Sequence, residues 1–205
     1  MYVTRHQLGG PTKEDSVTTN SSVHTTLADL SGAYTIDPAH TRIGFVARHA
    51  MVTKVRGNFN DFEGSGVVDG TYLAASKVTL TIQATSIDTR NEQRDAHLRS
   101  NDFLAMDEFS QITFVSTGFS KTGPASLDLT GDLTIKGVTN SVTVPFEFEG
   151  AATDPFGNLR VGFEGGVTIN RKDYGVTWNA ALETGGVLVS DKIVLEFEIS
   201  AIKTV

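Results

Sequence analysis

The chain has 205 residues, enough for one domain with a sizeable core or for a barrel around a cavity. Its formal charge of −7 argues against nucleic acid, which needs a dense basic stripe to displace counterions. It has no cysteine, hence no disulfide or thiolate chemistry, and no apolar run approaches the roughly 20 residues a membrane helix needs.

Residues 1–31 are polar, rich in Thr and Ser and without period, which predicts a disordered tail whose His6 and His24 are solvated. The start also lacks the apolar h-region of a secretory signal, so the expectation is a cytoplasmic protein.

From Ala33 onward, in a domain taken as residues 32–205, apolar residues recur every second position, the mark of strands with one buried face. Ile43, Phe45, Ala47 and His49 share a face opposite Arg42, Val46 and Arg48. A weaker strand covers Arg56 to Val68, followed by Val78, Leu80, Ile82 and Ala84. Further on come Ile112 and Phe114; Leu127, Leu129, Leu133 and Ile135; Val142, Val144, Phe146 and Phe148; Val161, Phe163, Val167 and Ile169. The last strand alternates Ile193, Leu195, Phe197 and Ile199 with Glu196 and Glu198, making eight. Turn signals stand between them at Asp69-Gly70, Gly123-Pro124, Lys136-Gly137 and Asp154-Pro155-Phe156-Gly157-Asn158. Several of these strands are long. That favours an all-β, eight-stranded, antiparallel up-and-down barrel over a two-sheet sandwich.

Two segments escape the alternation. SIDTRNEQRDAHLRSNDF, residues 86–103, is charged and opens on Thr89-Arg90-Asn91-Glu92, which reads as a capping box before a short helix from about Arg90 to Arg99. This helix falls between strands 3 and 4, with Arg90, Arg94 and His97 at spacings of three and four. The second segment, residues 171–191, is long enough for a lid or binding rim and carries the only tryptophan, Trp178.

Taken together, these motifs resemble the YceI-like, or polyisoprenoid-binding, family over roughly residues 33–203. The resemblance rests on Tyr34-Thr35-Ile36-Asp37-Pro38-Ala39-His40, Gly57-Asn58-Phe59 and Ser86-Ile87-Asp88-Thr89. It continues in Arg94-Asp95-Ala96-His97-Leu98, Gly131 to Thr139 and Asn170-Arg171-Lys172-Asp173-Tyr174-Gly175. It implies a lipocalin-like barrel with an elongated apolar pore that takes polyprenyl phosphate-type lipids, fatty-acid derivatives or other long lipophiles. Many relatives carry a secretory signal, a pattern from which this sequence departs.

The inward faces make either a solid core or a cavity, and the resemblance favours the cavity. Its expected lining is Phe45, Leu80, Ile82, Phe114, Leu133, Phe146, Phe163, Ile169 and Phe197, with Phe103 and Trp178 at the mouth. Arg90 and His49 are the head-group candidates, since a guanidinium fork suits phosphate or carboxylate oxygens. Arg94, Asp95 and His97, tied to Asp37 or His40, are read as a buried latch that holds the helix on the rim. The rival for Arg94 is a role in the head-group clamp.

A metal-assisted or acid/base enzyme is the alternative function, weakened by the lack of HxH, HExxH, CxxC or GxSxG patterns. No metal or cofactor is expected. A lipid-delivering scaffold for a membrane enzyme is the third reading, and a second copy of the chain, as a homodimer, is the one protein partner carried forward.

Overall fold

The computed structural model describes residues 25–183 and 185–204. Eleven strand segments join in one antiparallel sheet that closes on itself. They are β1 (Gly32–Ile36), β2 (Arg42–His49), β3 (Thr53–Phe59), β4 (Phe62–Val68), β5 (Lys77–Gln83) and β6 (Ile87–Asp88). After helix α1 (Glu92–Arg99) follow β7 (Gln111–Lys121), β8 (Ser126–Ile135), β9 (Val138–Thr153), β10 (Leu159–Asn170) and β11 (Lys192–Lys203).

The pairing reduces these segments to eight staves. Strand β11 pairs with β2 through Val194–Glu198 and with β1 through Ala201–Lys203, so β1 and β2 are one stave with a break at residues 37–41. Likewise β3 and β4 are collinear, pairing with β2 and β1 in turn, and β5 and β6 pair with β4 and β3. The three breaks, at residues 37–41, 60–61 and 84–86, lie side by side across the sheet. Interrupting the ladder at one level lets the sheet bend sharply there, as bulges do at barrel corners. The eight-stranded barrel and the helix between staves three and four match the expectation from the alternation.

Local chemistry explains the connections. Lys136 and Gly137 take φ of 50° and 75°, the left-handed pair that a two-residue hairpin between Ile135 and Val138 requires. Asp154 closes the next hairpin by accepting from Phe156 N, Asn158 N and Asn158 Nδ2, at 2.9, 2.9 and 3.0 Å. The outer face carries Asp128, Asp132, Glu147, Glu164 and Glu198, while the apolar partners point inward. A membrane-spanning barrel has the reverse arrangement.

The tail boundary needs correcting. Residues 1–24 of the expected tail lie outside the described residues, but residues 25–31 are built into the barrel. Leu27 and Leu30 are buried among the core residues at the end of the barrel away from α1. Asp29 accepts from the Thr26 N–H (2.8 Å) and hydroxyl (2.7 Å), a capping box that turns the two leucines onto one side. The loop beneath them must pass close: a Cβ at Gly70 would collide with the Ala28 carbonyl. Two leucines in a polar stretch are too few for a periodic signal, so this plug escaped the pattern.

Candidate binding cavity

The inward rows of the eight staves enclose a cavity of about 310 Å³. Phe45, Leu80, Ile82, Phe114, Leu133, Phe146, Phe163, Ile169 and Phe197 all line it, as does Phe103. Inward-facing glycines make room for the rings. Phe45 stands directly across from Gly57 and Phe146 across from Gly165, and a Cβ at either glycine would collide with the ring. Gly165 is also opposite Phe197, so Phe146 and Phe197 approach to 5.9 Å between ring centres over it. Leu27, Leu30 and Leu73 close one end of the cavity. Leu98 of α1, Phe103 and Leu104 of the turn after it, and Val176 and Val189 of the 171–191 insertion close the other.

Polar side chains on this wall are few. The Tyr34 and Tyr174 hydroxyls are buried without a hydrogen-bond partner among the described residues, and burial pushes both phenols up. Asn140, beside Tyr174, does not reach hydrogen-bond geometry with its hydroxyl and instead donates to the Asp173 carbonyl at 3.0 Å.

Arg171 is the one charged lining residue among the described residues, and it is 5% exposed. Its Nε donates to Ser190 O (3.0 Å), and one terminal nitrogen donates to Val176 O and Trp178 O, both at 2.8 Å. The other terminal nitrogen faces Asp191 at 3.5 Å. Burial pulls the guanidinium below its usual range, while the Asp191 carboxylate opposes that shift. Arg171 thus gathers both limbs of the insertion around one buried cation at the cavity wall, with its second terminal nitrogen left without a hydrogen-bond partner among the described residues. Sequence reasoning missed this role. The available signal was the single arginine at the end of a strand, before the long loop.

Trp178 was expected at the mouth, as lining, but it stands one layer outside. Its ring packs on Phe103 (5.2 Å) and edge-on against His97 (4.7 Å), so it backs Phe103. Neither Arg90 nor His49 lines the cavity. Arg90 is exposed, precedes the helix with φ of 62°, and so leaves the Arg94–His97 face. His49 is exposed where β2 runs beyond the barrel and pairs with Val189.

The latch takes a different form from the expected one. Asn91, not Thr89, caps α1, its side chain accepting from Arg94 N at 2.9 Å. That frees Thr89 to act as the anchor. Asp95, buried, accepts from Thr89 N (3.0 Å) and from its hydroxyl, while Arg94 donates to Thr89 Oγ1 (2.7 Å) and Thr89 O (2.8 Å). Arg99 adds bonds to the Thr85 and Ile87 carbonyls at 3.0 and 2.8 Å.

His97 does not share this buried face. At 100° per residue it lies about 200° round the helix from Asp95. Its side chain is 40% exposed and pairs with Asp102 at 2.8 Å. His40 is remote from α1: it bonds Asp37 at 2.7 Å in the β1–β2 break. Asp37 also takes an ion pair from Arg160, which reaches Asp154 at 2.9 Å.

This barrel, with its corner line and its end-plug helix, has known counterparts. The family model described as "YceI-like domain" matches residues 34–201. The chain belongs to the YceI-like family. A UPF0312 protein of Staphylococcus aureus strain MSSA476 is 43% identical over 169 residues, covering 82% of this chain and 95% of that protein. The Campylobacter jejuni YCEI protein is 28% identical with a TM-score of 0.66, over 77% of this chain and 90% of the solved one. Burkholderia cenocepacia BcnA superposes with a TM-score of 0.71 at 24% identity, over 80% and 98% of the two chains. A polyisoprenoid binding domain from Saccharophagus degradans, implicated in plant cell wall breakdown, gives 0.63 at 15% identity over 83% and 98%. At those last two identities the likeness shows the YceI-like fold alone.

Proposed function

We propose that this YceI-like chain holds a long lipophile, a polyisoprenoid or another long-chain lipid, inside the barrel and carries or sequesters it. The observation that carries the reading is the lining itself: ring after aliphatic chain from one end to the other, with Arg171, the one bordering cation among the described residues, bonded to three carbonyls of the insertion. The polyisoprenoid-binding name of the S. degradans relative supports the same ligand class.

Each methylene-sized group buried contributes about 0.8 kcal/mol, so three isoprene units supply on the order of 10 kcal/mol before the costs of association. Such a lining favours hydrocarbon, and the unpartnered polar atoms on it among the described residues, the Tyr34 and Tyr174 hydroxyls and one Arg171 nitrogen, are too few to replace the water shell of an interior phosphate. The head group therefore rests outside, at the α1 end, where Arg90 and His49 are exposed. Binding is favoured over catalysis because the lining holds no carboxylate or imidazole among the described residues to move a proton.

Native mass spectrometry of protein purified without detergent, followed by solvent extraction, tests the proposal. A retained lipid of defined mass, displaced by a fluorescent polyprenyl analogue, is the expected result. A folded protein that carries no lipid and takes up no apolar probe would overturn it.

A further inference from the structure

A lipid carrier has to meet a membrane, and one end of this barrel is dressed for it. The turn between β2 and β3 closes with Val52 N–H donating to His49 O at 3.0 Å. Its two central residues, Ala50 and Met51, have φ of 50° and 60°. Glycine or asparagine suits such a turn best, so an alanine and a methionine there carry a conformational cost. The side chains they lead to are not buried in return: Met51 is 56% and Val52 76% exposed. Val187 is exposed in the neighbouring limb of the insertion, which Ala50 joins by donating to Leu188 O at 2.7 Å.

Behind this apolar tip stand cations. Arg48 and Lys54 are directly opposite each other on β2 and β3, both exposed, and Arg56 follows two residues on. Like charges in that register repel, and none of the three forms an ion pair among the described residues. Of the acids at this end, Asp102 and Asp191 are engaged by His97 and Lys172 at 2.8 and 2.9 Å, while Glu183 is exposed in the turn beside Val187. On a chain of net charge −7, the hairpin from Ala47 to Gly57 carries Arg48, Lys54 and Arg56 and no acid. Apolar side chains projecting beyond a basic collar fit an anionic bilayer: the tip enters the acyl region and the collar meets the head groups.

We infer that the β2–β3 tip, with Met51 and Val52 inserted and Arg48, Lys54 and Arg56 on the head groups, is a docking surface for an anionic membrane. It sets the cavity wall formed by Ala47, Val176 and Val189 against the bilayer. The purpose of docking rests on the lipophile reading. Its test follows vesicle contact and not ligand uptake, so each can fail without the other.

The opposite end exposes Phe156, at 89%, but there the neighbouring cation, Arg160, is already paired with Asp154 and Asp37 and is not free for head groups. The two ends can therefore be set against each other. Since the chain has no cysteine, Val52→Cys and Phe156→Cys each give one site for an environment-sensitive fluorophore. The probes are vesicles of pure phosphatidylcholine and of phosphatidylcholine with 30% phosphatidylglycerol.

The expected result is a blue shift at position 52 alone, on the anionic vesicles alone, fading as salt is raised. In unlabelled protein, Arg48→Ser with Lys54→Ser should weaken co-sedimentation about 25-fold. Met51→Ser with Val52→Ser should weaken it at least as much, and both pairs are exposed enough to leave folding intact by circular dichroism. No shift at 52, or equal shifts at both sites, would overturn the inference. So would a shift at 52 that depends on protein concentration without vesicles, since that assigns the tip to a second copy of the chain.

Discussion

Replacing Arg171 by methionine keeps the length and apolar stem of the side chain and removes its five donors. Three hydrogen bonds then disappear, to Ser190, Val176 and Trp178. Each bond from a charged donor contributes about 1.5–3 kcal/mol, but the sum overstates the loss, because the insertion can peel away and re-solvate its carbonyls. Asp191 also keeps Lys172 at 2.9 Å, so its charge is not orphaned. A net destabilisation of about 3–5 kcal/mol remains, the usual range when one partner of a buried charge cluster is removed. For a domain of this size that lowers Tm by roughly 6–20 °C. Thermal unfolding followed by circular dichroism reads the global effect. Limited proteolysis reads the local one, as new cleavage between Val176 and Ser190. Arg171→Lys should fall between parent and methionine variant, since one ammonium cannot reach three carbonyls set by a planar fork. A methionine variant with Tm within a degree or two of the parent and unchanged proteolysis would refute the hub role of Arg171.

Leu27→Ala and Leu30→Ala should each cost about 2–5 kcal/mol by chemical denaturation, the range for a fully buried leucine; values below about 0.5 kcal/mol would return residues 25–31 to the tail. Phe114→Trp with Phe163→Trp should fill the cavity and abolish uptake of a fluorescent lipid analogue, whereas full uptake by a folded double variant would refute the assigned lining. Acid should loosen the β1–β2 corner. The Arg160 and His40 bonds hold the Asp37 carboxyl below the usual carboxylate range, and Asn158 and Arg160 do the same for Asp154. A lowered folded pKa gives stability that is complete above the unfolded value, about 3.9, and is lost as pH falls below it. Asp154→Asn should therefore lose less Tm than the parent between pH 5 and pH 2.5, and parallel acid limbs would contradict this. Thr89→Val should destabilise α1 as much as Arg94→Ala, because both side chains of the latch meet at Thr89; a silent Thr89→Val, measured by hydrogen exchange across residues 92–99, would break that link.

What the amino-acid order determined by itself is whatever repeats along the chain. A pleated strand sends successive side chains to opposite faces, so the rings and aliphatic chains along the middle of the staves could be read from alternation, whereas the residues that close the two ends could not. The Lys136-Gly137 and Asp154–Asn158 turns and the place of α1 follow from equally local chemistry. Tertiary structure decided everything that depends on a partner distant in sequence. The three aligned breaks exist because neighbouring staves bend together, and no single strand carries a sign of it. Arg171 became a hub only when the chain returned nineteen residues later with Ser190. Leu27 and Leu30, featureless in a polar stretch, acquired their role from an open barrel end that offered apolar surface to cover. Pleat and turn preferences act over a few residues and leave a period or a motif. Burial and hydrogen-bond satisfaction are settled by whichever groups the closed barrel brings together.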